Sequence, residues 1–393
     1  MRLVGGQAKK QQRLTVLPHK PQRVLMTADA VGGVWTYVIE MAGALSARGV
    51  EVAVASMGPR PNRHQRAELT AIARTHLLES DFKLEWMQNP WNDLEEAGQW
   101  LLEIAENFCP DVIHLNGYFH AALPWTAPPV VVAHSCMLSW WQAVRGSAAP
   151  AQWDLYRRMV RRGIRAAEAV IAPTRAMLGE IERLYARPRA GIVIPSGRDS
   201  RRFRISSKQS YVLSVGRVWD EAKNISALDD AAANLKWPVY VAGDDTRSNG
   251  TSAESREARE LHHAKMLGAL PSAQLGAWLA AAPICALPAR YEPFGLCALE
   301  AALSGCALVL GDIPSLRENW NDAAMFVPPA EPRALVRTID ELITNRKLRD
   351  DLAQRAYHRA RDFDSDTMGA AYLDVYRNLM SLPEASGEMA RAS

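Results

Sequence analysis

Short apolar runs alternate with longer stretches of helical periodicity from Arg23 almost to the end of the chain. The first run is RVLMT at 23–27, followed by a glycine-bearing turn, ADAVGG, and then by apolar spacing that predicts an amphipathic helix over about 34–47. Arg48-Gly49 ends that helix, and EVAVA at 51–55 makes the next strand. A strand–helix–strand unit of this kind predicts a parallel sheet. The alternation continues through FKLEW at 82–86, DVIHL at 111–115, VVVAH at 130–134, AVIAP at 169–173 and GIVIP at 191–195.

After Pro195 the segment SGRDSRRFRISSKQS is polar and basic with no sustained apolar period, which marks a domain boundary. A second series then begins, with strands at 211–215 (YVLSV), 238–242 (PVYVA), 283–287 (PICAL) and 307–310 (ALVL). Helical stretches at 332–363 and 365–380 have no strand left to cover, and the last is expected to cross back onto the first half. The reading is therefore two Rossmann-like α/β domains, at 21–200 and 205–364, preceded by a mobile leader at 1–20 and closed by a returning helix at 365–382. Two such halves place a ligand cleft between the carboxyl ends of their strands.

Composition narrows the function. With 393 residues, two domains are expected from length. A charged fraction of 23% and a formal net charge of +3 give no field that would argue for nucleic acid. Five scattered cysteines (Cys109, Cys136, Cys285, Cys297, Cys306) form no CxxC pair, which suits a reducing, cytoplasmic setting without a thiolate metal site. No apolar run approaches the roughly 18 residues of a membrane span. WDLYRRMVRRGIRAA at 153–167 does put Arg157, Arg158, Arg161, Arg162 and Arg165 within an arc of roughly 140° on a helix. That face is either ordinary solvated surface or a peripheral contact with anionic lipid.

Candidate chemistry gathers at strand ends. In PARYEPFGLCALEAALSGCALVLGD at 288–312, Glu292 and Glu300 lie eight residues apart around the start of a helix, about 10 Å at 1.5 Å per residue. A helix N-terminus offers unpaired N–H groups to a phosphate, and flanking carboxylates suit sugar hydroxyls. The same spacing also fits a capped helix with one exposed glutamate. In VLSVGRVWDEAKN, Arg217 and Lys223 follow a strand and could surround a diphosphate, or be ordinary surface cations. Gly32 and Gly33 permit close approach of a ligand to a helix terminus, while the GxGxxG fingerprint of a nicotinamide dehydrogenase is absent. His134 ends VVVAH, and His114 and Asn116 end the preceding strand. Trp140-Trp141 belong either to an acceptor pocket or to core. No metal-ligand spacing stands out.

These stretches resemble glycosyltransferase family 4, the retaining transferases with the GT-B fold. The carriers are EPFGLCALEA, with its E-x7-E spacing, GRVWDEAKN as a G-R-x5-K-N element, and GGVWTYVIEMAGAL as the glycine-rich opening. The resemblance spans about 23–380. It implies a metal-independent sugar transfer from a nucleotide-diphosphate sugar (UDP, GDP or ADP), with no permanently bound cofactor, to a carbohydrate, lipid-linked or small-molecule acceptor. It assigns Arg217 and Lys223 to the diphosphate, Glu292 to the donor sugar, Glu300 to the ribose and His134 to the region of the reacting carbon. Gly32, Gly33, Pro293, Phe294, Gly295 and Leu296 complete the donor side, and His114, Asn116, Trp140 and Trp141 the acceptor side. SGRD at 196–199 departs from the family's Asn-Gly-aliphatic-Asp, and Val50 stands where a His is common. A GT-B epimerase or phosphorylase, or a silent nucleotide-sugar-binding subunit, would share the cleft.

Overall fold

A computed structural model describes residues 20–244 and 260–381. The expected leader at 1–20 lies almost wholly outside them. Two parallel sheets organise the rest. The first holds β1 (Arg23–Asp29), β2 (Glu51–Met57), β3 (Thr75–Glu79), β4 (Val112–Leu115), β5 (Pro129–Val132), β6 (Ala169–Ala172) and β7 (Gly191–Val193), in the order 3-2-1-4-5-6-7. The second holds β8 (Val212–Val215), β9 (Val239–Ala242), β10 (Lys265–Gly268), β11 (Ile284–Leu287), β12 (Ala307–Gly311) and β13 (Ala324–Val327), in the order 10-9-8-11-12-13.

Strand order reverses between β1 and β4 in one sheet and between β8 and β11 in the other. At such a switch point successive helices pass to opposite faces, so the loops at the carboxyl ends part and leave a crevice. The loops carrying Gly32, Asn116, Arg217 and Glu292 follow these four strands. Topology thus brings the sequence candidates together in two pairs, one at the switch point of each sheet, and the facing of the two domains brings the pairs to one cleft.

Several expectations need correction. FKLEW at 82–86 is not a strand; β3 is the preceding THLLE, which pairs with Val52–Ser56 of β2, while 82–86 runs as a loop along the cleft. The second sheet has two strands that were not expected, β10 and β13. Both are four-residue edge strands with half-exposed positions, so their apolar runs are weak. The stretch 332–363 is two helices, Pro332–Thr344 and Arg346–Ala360, with Asn345 accepting the Leu348 N–H at the break. They do cover strands: Leu335, Ile339 and Leu352 pack with Val309 of β12, and Ala356 and Ala360 with Leu308 and Leu310.

The last helix, Ser365–Met380, returns to the first domain, where Met368, Tyr372 and Tyr376 join the core with Val24, Val38 and Met41. The helix Gly33–Ala47 is therefore buried on nearly all sides rather than amphipathic, and even Glu40 within it is only 4% exposed. Gly369 has no side chain because a Cβ there would collide with Ala44.

Candidate active site

The two glycines after β1 meet the second domain directly. Gly32 has φ 76° and ψ −140°, a backbone region that side chains oppose, and a Cβ there would collide with Arg217 Nη1. A Cβ on Gly33 would touch Leu296 Cδ1 at 3.4 Å. Gly32 is thus favoured by its backbone conformation and by the nearness of Arg217, while at Gly33 a Cβ would be in ordinary contact.

Arg217 leaves β8 and is steered by Asp220, whose Oδ2 accepts from Nη2 at 2.7 Å. Its Nε is buried without a hydrogen-bond partner, and Nη1 donates to none of the described residues. The side chain as a whole is 32% exposed, so it is the buried Nε whose unmet donor is costly, while Nη1 stays open to an acceptor in the cleft. Asp220 also accepts from Trp140 Nε1 across the cleft at 3.2 Å. Burial pushes the Asp220 carboxyl up, but Arg217 and Lys223 outweigh it and hold it below the usual range.

Lys223 Nζ donates to Glu292 Oε2 at 2.6 Å, and the Gly295 N–H donates to Oε1 at 3.1 Å. Burial lowers the Lys223 pKa, yet the Glu292 and Asp220 charges raise it above its ordinary value, so the ammonium persists. The helix that carries Glu300, Leu296–Leu303, starts after Gly295 at φ 94°, so Glu292 lies before its first turn. Pro293, Phe294, Gly295 and Leu296 line the cleft between the two carboxylates.

Glu300 is 8% exposed. Its Oε1 lies 3.1 Å from Arg198 Nε, without the alignment of a hydrogen bond, and Arg198 Nη1 donates to Glu40 Oε1 at 2.7 Å. Burial raises the Glu300 pKa, Arg198 opposes and Glu40 adds to it. Arg198 is the departure seen at 196–199. It ties a glutamate of the first domain to one of the second through a nearly dry ion cluster.

On the other wall His134 stands two residues beyond β5, not at its end, and lines the cleft. Its Nε2 shares a 2.7 Å hydrogen bond with Asn116 Oδ1, and its ring meets Tyr37 edge-on at 4.5 Å. Burial lowers its pKa to about 4, so the ring is neutral near pH 7. Asn116 is fixed in turn by Thr27. Trp140 and Trp141 line the cleft. His114 does not: it is fully buried beneath the last helix, bonded to Tyr376 Oη, and burial lowers its pKa to about 3. The expected acceptor role of His114 is therefore corrected to packing.

Sequence reasoning missed Asp29, Glu85, Asp220 and Arg198. Asp29 follows Ala28 in ADAVGG; burial raises its pKa to about 6 against the Val31 N–H and the Arg217 charge. Glu85 accepts the Tyr118 and Phe119 N–H groups, and burial raises its pKa to about 7. Asp220 had a visible signal in its place three residues before Lys223.

The cleft has a volume of about 1840 Å³, against roughly 300–1,000 Å³ for a site holding one small ligand. Its architecture is shared with solved proteins. Sucrose-phosphate synthase from Thermosynechococcus elongatus superposes with a TM-score of 0.74 at 19% identity, covering 91% of this chain and 99% of that one. Anabaena Alr3699/HepE in complex with UDP-glucose gives the same figures. The fold is GT-B, two facing Rossmann-like domains.

Sequence comparison supplies the chemistry class. Residues 31–202 match the model for Glycosyltransferase Family 4, and residues 196–359 that for Glycosyl transferases group 1. The chain belongs to glycosyltransferase family 4 and is an enzyme of that class. Glycogen synthase of Mycobacterium tuberculosis is 25% identical, with 88% of this chain and 91% of that protein covered. D-inositol 3-phosphate glycosyltransferase of Frankia alni is 26% identical, covering 90% and 96%. Phosphatidyl-myo-inositol mannosyltransferase of Mycobacterium leprae is 23% identical, covering 89% and 94%.

Proposed function

We propose that this enzyme transfers a sugar from a nucleotide-diphosphate sugar, with UDP as the first carrier to test, to an acceptor hydroxyl with retention of anomeric configuration. The observation that carries the reading is the meeting of Arg217, with its unused donors, and the N-terminus of the helix Gly33–Ala47. Asp220 meets only part of the guanidinium's charge, and together with the positive end of the helix the remainder suits an anion. A diphosphate answers both, and Lys223 stands on the same loop.

In the reaction the bond between the anomeric carbon and the phosphate oxygen breaks. A new bond forms from that carbon to the acceptor oxygen, the hydroxyl proton passes to the departing diphosphate, and the nucleoside diphosphate leaves. Negative charge grows on the diphosphate as the old bond breaks, and Arg217 and Lys223 meet it, which is the role a divalent cation plays in metal-dependent transferases. Glu292, oriented by Lys223 and the Gly295 N–H, accepts from donor-sugar hydroxyls, and Glu300 from the ribose. Neutral His134, its Nε2–H donated to Asn116 Oδ1, presents Nδ1 as an acceptor near the reacting carbon without adding charge.

UDP-glucose is bound by the Anabaena relative of the fold, which supports a UDP-sugar here. A thermal-shift screen of UDP-, GDP- and ADP-sugars tests the donor: a ligand at 100 times its Kd adds about 2.7 kcal/mol. Absence of a shift with all three would refute the reading. The exposed Arg158, Arg161, Arg162 and Arg165 support peripheral contact with anionic lipid, tested by co-sedimentation with vesicles. No described helix is long and apolar enough to cross a membrane.

A further inference from the structure

The donor chemistry leaves one wall of the cleft unused. Trp86 and Trp91 reach it from the loop after β3 and the helix that follows, and Trp140 and Trp141 from the helix Met137–Arg145. An indole offers a broad, rigid apolar face. The C–H-rich face of a pyranose ring lies flat on such a surface while its hydroxyls point outward to polar groups at the rim. A phosphorylated acceptor would call for unpaired cations instead.

The cations of this wall are already paired. Lys83 Nζ lies 3.7 Å from Asp93, and Arg145 grips Glu221 of the opposite domain through two hydrogen bonds of 2.8 Å. Arg290 also reaches the cleft, but from the donor domain beside Lys223; its backbone N–H is bonded to Ala222 O, and its guanidinium has no ion pair among the described residues. Among the polar groups that line this wall, with Gln88, Asn89 and Gln152, is Glu85. Its Oε2 takes the Tyr118 and Phe119 N–H groups at 3.0 and 2.9 Å, while Oε1 accepts no hydrogen bond from the described residues. These two N–H groups belong to the loop after β4 and hold the carboxylate in one position.

We infer that this wall binds a neutral saccharide acceptor, held by the faces of Trp86, Trp91, Trp140 and Trp141 and by a hydroxyl bonded to Glu85 Oε1. The inference rests on the transferase reading and adds the acceptor's chemical class to it. The cleft's volume leaves room for such a molecule beside a donor.

The test offers one donor with three kinds of acceptor: neutral oligosaccharides of two to seven residues with gluco, manno and galacto configurations, myo-inositol 1-phosphate, and phosphatidylinositol vesicles. Intrinsic tryptophan fluorescence follows binding of the same probes without donor. Saturable transfer to a neutral saccharide is expected, with quenching by that saccharide alone. Glu85→Gln and Trp86→Ala should each raise the acceptor KM roughly tenfold, the loss of one contact of this kind, with the donor KM within twofold. Transfer confined to the inositol phosphate or the vesicles overturns the inference, as does an acceptor KM unmoved in both variants. If no donor is consumed under any condition, the transferase reading itself fails, and quenching still decides whether the wall binds saccharide.

Discussion

Replacing Gly32 by alanine tests the contact between the first helix and Arg217 of the second domain. The backbone there, φ 76° and ψ −140°, is one that a side chain occupies only at a cost of about 1–3 kcal/mol. For domains of this size the melting temperature should fall by about 2–4 °C per kcal/mol. The new Cβ would collide with Arg217 Nη1, with Cζ 3.7 Å away. The guanidinium, being the end of a flexible chain, can retreat, and about 1 Å of retreat restores van der Waals distance. A displacement of about that size can cost on the order of a hundredfold in rate when the group faces the reacting centre.

Gly32→Ala should therefore lower kcat by roughly tenfold to a hundredfold, bounded by the loss of a whole transition-state donor. The assay is continuous release of nucleoside diphosphate at saturating donor and acceptor, with a melting curve on the same sample. Gly43→Ala in the same helix is the control, since nothing lies within 4 Å of a Cβ there, and it should be neutral or stabilising by up to about 1 kcal/mol. If Gly32→Ala keeps wild-type kcat while Gly43→Ala behaves as described, the Gly32–Arg217 contact is no part of the working enzyme.

Arg217→Ala and Lys223→Ala should each fold yet lose about a hundredfold in kcat, because each removes a group that meets charge in the transition state; Arg217→Lys should rescue poorly, since a bidentate grip is lost. Turnover of the dialysed enzyme should survive excess EDTA, and a requirement for added Mg²⁺ or Mn²⁺ would contradict the role given to these two cations. For His114, burial holds the folded pKa at about 3, below the unfolded value near 6.5. The unfolded chain thus binds its proton first as pH falls. This contribution to stability is complete above about pH 6.5 and is lost progressively toward pH 3, and NMR titration should show no ring protonation at pH 5.

The sequence made the interior strands legible because they are buried on both faces and read as continuous apolar runs; Val24–Met26 and Val130–Val131 are wholly inaccessible. β3, β10 and β13 lie at sheet edges, where that signal fades, and FKLEW competed with THLLE for the same place. Glu292, Arg217 and Lys223 could be singled out as candidates because local motifs carry them, and all three line the cleft. Glu85 and Arg198 were not, because their partners lie far along the chain: Tyr118 and Phe119 for one, Glu40 and Glu300 for the other. His114 misled because strand position says nothing of what covers a side chain, and Tyr376, 262 residues away, does the covering.

The central claim, transfer from a nucleotide sugar with retention, is tested most directly by proton NMR of a single reaction mixture. Donor of defined α configuration, enzyme and acceptor are combined, and the anomeric coupling of the product is read before any mutarotation. The account predicts one nucleoside diphosphate released for each new glycosidic bond, with that bond still α. A β product, or loss of donor with no bond formed to any acceptor, would contradict it.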